Sequence, residues 1–385
     1  MHMVNILKLS AFAAVILCGC ARSNVVIDGE DLSKEAENAA RTSGYESSWL
    51  KRDTLRIYTW EDFFAPNVIA SFEKALGVKV TLETYDSNED MFEKLKSGHC
   101  HYDIITPSSY IIPDMAKAGL LAKLNHRRLP NIRKNFDRSV APLLVDPKFT
   151  YNVPYTLNYT GLHYDRNRLP SGMDPESFAL LGNPALKGRT AIFNDMRELI
   201  GAGLMHLGYS INSSSPEEID AATRLVIEWK RNSGRSDDSF YGEDVRTGKL
   251  PVAMCYSYHA LMSMHQENSA SNRTAAVAQE FKLPKSGFSL SVDELVIAAN
   301  TPHRDLAYAF INYIYEANVA RSGMETLCFA MPVKPALDKL NPKMKELLTL
   351  SPEKFKRGQV IMGFSERPKA GRLYEDAWKR IQAAK

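Results

Sequence analysis

Past its first twenty residues the chain has no run near the ~18 uninterrupted apolar residues of a membrane-spanning helix, so no later segment is expected to cross a bilayer. Cysteine is scarce, five in 385 residues, and no Cys-x-x-Cys pair occurs, which removes zinc-ribbon and dithiol redox chemistry. Basic side chains never run longer than a pair, as at Arg127-Arg128, and 48 Lys and Arg against 45 Asp and Glu leave a formal charge of only +3. Without a clustered basic footprint, no nucleic-acid partner is expected. Neither Gly-x-Ser-x-Gly nor His-Glu-x-x-His is present. Nothing therefore marks a hydrolase, and the expectation is a non-enzyme with no cofactor and no metal site. No repeat of roughly 20–50 residues occurs.

What is present begins at the N-terminus. Leu9–Leu17 is apolar but for Ser10, too short to span the bilayer and suited to the core of an export signal. It ends in Leu17-Cys18-Gly19-Cys20, which resembles a bacterial lipobox, with Cys20 as the acylated first residue of the mature chain. Residues 1–20 are thus expected to be a lipoprotein signal that anchors the protein in a membrane outside the cytoplasm. Residues 21–53 are polar, with few large apolar side chains, and read as a flexible tether of roughly 30 Å root-mean-square span, in which Glu30–Arg41 forms at most a marginal helix with little apolar face to bury. Cys100, Cys255 and Cys328 then remain, enough for one disulfide and one free thiol, with the pairing open.

From Leu55 the texture becomes that of a folded α/β unit. Leu55–Thr59 predicts a strand, and Pro66 opens a helix carrying Val68, Ile69, Phe72 and Leu76 that Gly77 closes. Val78, Val80 and Leu82 alternate as a strand, Asn88 is the expected cap of a helix with Met91, Phe92 and Leu95, and Tyr102–Thr106 is a further strand. Later, Ser215-Pro216-Glu217-Glu218 is a capping box for a helix through Trp229, and Leu306, Phe310, Tyr313 and Ile314 mark another. Val252–Tyr256 and Leu295–Ala299 read as strands. Alternating strands and helices predict βα units on a mostly parallel sheet.

In such sheets ligands bind outside the carboxyl ends of strands. That directs attention to Thr59-Trp60-Glu61-Asp62, to Thr106–Tyr110 and to Ala191–Glu198, where acids stand beside or near aromatic rings. Carboxylates with aromatic faces suit a cation that has an apolar body.

Ile57–Glu89, Tyr102–Tyr110, Asn152–Tyr155, Asn194–Glu198, Pro284–Gly287 with Asp293, and Tyr374–Asp376 together resemble the periplasmic spermidine/putrescine-binding proteins, in one order from about residue 55 to the end. The resemblance implies the type II periplasmic-binding-protein fold, two α/β lobes joined by crossing strands with ligand in the cleft. It divides the chain into 54–157 with 294–335 and 158–293 with 336–385. It implies a polyamine as ligand, an ABC-transporter permease as partner, and a monomer. Trp60 matches the tryptophan that stacks on the amine, and Ser108 and Tyr110 line the first lobe. Asp195 and Glu198 match the acidic pair at one amine, and Asp293 the carboxylate at the other. Tyr256 stands for a tryptophan and Phe329 for a ligand-contacting tyrosine, while Ser291 replaces a tryptophan wall. Glu61 and Phe63 are further wall candidates.

Blander accounts exist for several of these. Asp195-x-x-Glu198 before Leu199-Ile200 is helix-start chemistry in its own right, Trp60 alone could be core, and Ser108 after Pro107 could be a turn residue. His99-Cys100-His101 resembles a metal site, but successive residues of an extended segment face opposite ways, so Cys100 does not easily join His99 and His101, and no fourth ligand is evident. A ferric-iron site using Tyr256 and Tyr258, and a sensor without transport, remain alternatives.

Overall fold

The computed structural model describes residues 30–46, 53–98, 101–236, 241–269, 277–364 and 367–384. The signal and Cys20, as well as His99 and Cys100, lie outside the described residues.

Ten strands occur among the described residues. They are β1 Thr54–Thr59, β2 Lys79–Thr84, β3 Ile104–Ile105, β4 Asn152–Asp165, β5 Thr190–Ile192, β6 Arg235–Ser236, β7 Val252–Tyr256, β8 Gln279–Lys282, β9 Phe288–Ile297 and β10 Gly358–Val360. The main path runs β2-β1-β3-β9-β4-β7-β5-β6, with β10 on β9 and β8 on β4. β1 pairs parallel with β2 and β3, and β5 pairs parallel with β6 and β7. These two parallel groups are the expected βα units.

The middle of the sheet is antiparallel, against the mostly parallel expectation. β4 pairs with β9 from Asn152 to Tyr159, then with β7 from Thr160 to Tyr164. β4 thus crosses from one group to the other and changes partner at Tyr159/Thr160. Two large hydrophobic clusters lie on either side of this switch. One gathers Phe72, Phe310 and Tyr313, the other Trp229, Ile200 and Tyr374.

Local chemistry explains several boundaries. Pro66–Leu76 is a helix with Pro at its start and Gly77 in the left-handed conformation (φ 65°) at its end, as the sequence predicts. Ser215 caps Pro216–Asn232 by accepting from the Glu218 amide. Ser87, one residue before the expected Asn88, caps Asn88–Lys96 by accepting from the Asp90 amide. The strand expected over Tyr102–Thr106 is reduced to Ile104–Ile105, and Leu295–Ala299 lies partly within the longer β9.

The tether expectation for 21–53 needs correction. Ser33–Ser43 is a helix, and Leu32, Ala36, Ala39 and Ala40 are buried. Alanine supplies little apolar area, yet it lets two helix backbones approach closely. The helix packs on Arg304–Ile314, whose Asn312 amide nitrogen donates to the Ala39 carbonyl at 3.1 Å. Cys255 and Cys328 are buried free thiols, so neither forms the single disulfide that composition allowed.

Candidate functional site

A cavity of about 450 Å³ opens where β4 changes partners. Its walls come from the carboxyl ends of β1, β2, β3, β5 and β7 and from both crossing strands.

β1 delivers Trp60, half-buried, with its ring centre 4.4 Å from that of Tyr85. The indole Nε1 is buried and has no protein partner. The chain then turns through exposed Glu61 and Asp62, and Asp62 takes a left-handed φ of 56°, which Asp tolerates better than most side chains. Phe63 is buried behind that turn, its ring 5.9 Å from those of both Tyr155 and Phe329.

Asn88 joins two walls. Its carbonyl oxygen accepts from the Ser108 amide at 3.1 Å, and its amide nitrogen donates to the Tyr110 hydroxyl at 3.1 Å. The Tyr110 hydroxyl in turn donates to Glu89 at 3.0 Å. The carboxyl-end rule applied to β2 would have flagged Tyr85–Glu89, which the sequence reading passes over.

Asp293 sits on β9, 5% exposed. Ser108 Oγ donates to its Oδ1 at 2.7 Å, while Thr156 Oγ1 and Asn158 Nδ2 donate to Oδ2 at 2.9 and 3.1 Å. Burial raises its pKa, and these three hydrogen bonds oppose the rise.

Asp195 caps the Met196–His206 helix, its Oδ1 accepting from the Glu198 amide at 2.8 Å. The capping account of Asp-x-x-Glu is therefore present in the fold, and it leaves Asp195 exposed on the cavity wall. Glu198 is buried beneath it, accepting from Thr160 Oγ1 at 2.9 Å and Ser289 Oγ at 2.8 Å. Burial, then the Asp195 charge, pushes its carboxyl up to about 7, against the hydroxyl bonds and the Arg197 charge.

Tyr256, at the end of β7, packs on Phe193 with ring centres 4.6 Å apart and lies parallel to Tyr258 at 6.1 Å. Desolvation raises both phenols, which disfavours the phenolates an iron site would use. No group of three or more His, Cys, Asp or Glu side chains placed to hold a metal occurs among the described residues.

Trp60, Glu61, Phe63, Ser108, Tyr110, Asp195, Glu198, Tyr256 and Asp293 thus share one cavity. Phe329 does not reach its wall: it is 1% exposed and packs behind Phe63 against Tyr155. Lacking a hydroxyl, that ring gains more from the core than from a wet cleft. In all, seven carboxylates, one guanidinium and seven aromatic side chains line the space. Desolvation also holds His259 down to about 3, so its imidazole adds no positive charge near neutrality. The arrangement is built to receive a cation.

Two α/β lobes with a cavity on their crossing strands define a type II periplasmic binding protein. The chain belongs to the bacterial extracellular solute-binding protein family, whose model matches residues 67–349. It is 28% identical over 306 residues to the putrescine/cadaverine-binding protein of Pseudomonas aeruginosa, covering 78% of this chain and 85% of that one. It is likewise 28% identical over 339 residues to the spermidine/putrescine-binding periplasmic protein of Escherichia coli, covering 86% and 92%. Among solved structures, the Tp0655 (TpPotD) lipoprotein of Treponema pallidum superposes with a TM-score of 0.74 at 28% identity, covering 86% of this chain and 99% of that one. No helix among the described residues is long and apolar enough to cross a membrane.

Proposed function

We propose that this protein captures a polyamine, a putrescine- or spermidine-like di- or triamine, outside the cytoplasm and delivers it as a monomer to the permease of an ABC importer. The carrying observation is the excess of seven carboxylates over one guanidinium in a cavity lined by aromatic rings. Asp293 meets one protonated nitrogen and Asp195 with Glu198 another, while Trp60, Tyr110 and Tyr256 cover the methylenes. Charge-assisted hydrogen bonds of about 1.5–3 kcal/mol and cation–π contacts of about 0.5–2 kcal/mol suffice for micromolar affinity, about −8 kcal/mol. The named relatives support the same ligand class.

The lobes are proposed as 54–157 with 294–348 and 158–293 with 349–385. Placing the return after Leu348, later than sequence alone suggested, is supported by Ala336, Leu340, Met344 and Leu348 lying in the first cluster. Anchoring through Cys20 is part of the proposal. A Cys20→Ala variant is expected to lose incorporation of a metabolically supplied fatty-acid probe, and unchanged labelling would remove the anchor. Titration of the protein with putrescine, spermidine, agmatine and ornithine tests the ligand class. Saturable one-to-one binding of at least one is expected, and no heat and no thermal shift with any would reject it.

A further inference from the structure

Asn158 stands on β4 beside the point of partner exchange, 3% exposed and on the cavity wall. Its amide nitrogen donates to Asp293 Oδ2 at 3.1 Å and to Thr156 Oγ1 at 3.2 Å. The direction of the amide follows from chemistry, because an ionised carboxylate only accepts and so faces the NH₂ group. The side-chain carbonyl oxygen Oδ1 is consequently turned away from Asp293. It is buried and has no partner. A buried carbonyl left in that state loses its hydrogen bond to water without replacement. Asn158 is in register with Ser291 on β9, which also lines the cavity.

The acceptor count at this end of the cleft is short for an ammonium. Asp293 Oδ2 already accepts two hydrogen bonds and Oδ1 one. With about two lone-pair sites per oxygen, a single site remains on the carboxylate, whereas a primary ammonium carries three donors. The Asn158 carbonyl is an unpartnered buried acceptor on the cavity wall, on the residue whose amide already holds Asp293.

We propose that Asn158 is a further ligand-binding residue, accepting from an N–H of the cationic head seated on Asp293 and selecting N–H-rich heads, primary ammonium or guanidinium, over methylated ammonium. This rests on the cation assignment of the cleft. A quaternary ammonium keeps the charge but has no N–H, so it leaves Oδ1 orphaned and places methyl groups against it.

The test is calorimetric titration with putrescine and its bis(trimethylammonium) analogue, on the unaltered protein and on Asn158→Leu and Asn158→Ala. The unaltered protein is expected to prefer putrescine by tenfold or more. Each variant is expected to lose about tenfold toward putrescine while changing little toward the analogue, so the ratio collapses. If Asn158→Leu fails to fold, Asn158→Ala gives the same readout, with melting temperature as the control. Equal losses toward both ligands would make Asn158 only a support for Asp293 and overturn the proposal, as would an unchanged ratio. Binding of putrescine with no preference in the unaltered protein overturns the selection alone. Absence of binding by any amine overturns it together with the cation assignment.

Discussion

Ser108 and Asp293, 185 positions apart, are joined twice: their backbones form an isolated antiparallel bridge, and the Ser108 hydroxyl donates to Asp293 Oδ1 at 2.7 Å. The loop after β3 and the Asp293 segment of β9 are thereby one wall of the cavity. Removing one partner of a buried charged pair costs roughly 2–5 kcal/mol. Asp293→Ala is therefore expected to weaken amine binding by about two orders of magnitude or more, and Ser108→Ala by about tenfold. Titration of both variants checks this, and near-normal affinity in Asp293→Ala would remove that carboxylate from the site.

Glu198 makes the protein's response to pH specific. Its folded-state pKa, about 7, is raised above the ordinary 4.5, chiefly by burial. Its contribution to stability is fully present below the unfolded value and is lost as pH rises through about 7. Glu198→Gln, neutral throughout, is expected to raise the ligand-free melting temperature relative to the parent at about pH 8 but not at about pH 4, an effect of order 3 kcal/mol at most. A bound cation favours the ionised form, so binding near pH 6 is expected to release protons. Calorimetry in buffers of different ionisation enthalpy measures that release.

The Ser33–Ser43 helix packs into the first hydrophobic cluster. Its Leu32 amide donates to Ser71 Oγ at 3.1 Å, and Asn318 Nδ2 donates to Glu35 at 2.9 Å. A protein truncated before residue 47 exposes the surface that Leu32, Ala36, Ala39 and Ala40 cover. It is expected to be ~2–5 kcal/mol less stable than one truncated before residue 30. Denaturant melts of the two compare them directly, and equal midpoints would restore the tether reading.

Gly161 lies on β4 where the strand meets β7 and β8. A Cβ there would stand 2.6 Å from the Lys282 carbonyl oxygen and 2.5 Å from Phe281 Cζ. Because a backbone atom is among the obstacles, Gly161→Ala is expected to destabilise by about 1–3 kcal/mol. A melt of that single variant tests the packing of the crossing strand.

Much of this fold is legible in the residues themselves. Pro66 and Gly77 bound their helix where the sequence predicts, and Ser215 caps the next long one. β4 is not legible, because all but one of its 14 residues are buried and no alternation betrays a half-buried strand. The N-terminal helix reads as marginal, and its packing escapes for the opposite reason, since alanines rather than large apolar side chains make its buried face. In the site, the carboxyl-end rule places Trp60, Ser108 and Asp195. Asn88 and Asn158 act through hydrogen bonds to residues far along the chain, which no local pattern encodes. Phe329 shows the reverse: its position in the family resemblance suggested a cleft residue, and its phenyl ring lies in the core.

The most direct measurement is titration of the protein with putrescine and spermidine, alongside Asp195→Ala and Asp293→Ala. The account predicts saturable one-to-one binding at micromolar or better affinity, lost or severely weakened in each variant. Binding unaffected by both substitutions would place the ligand elsewhere, and no binding of either amine would contradict the central claim.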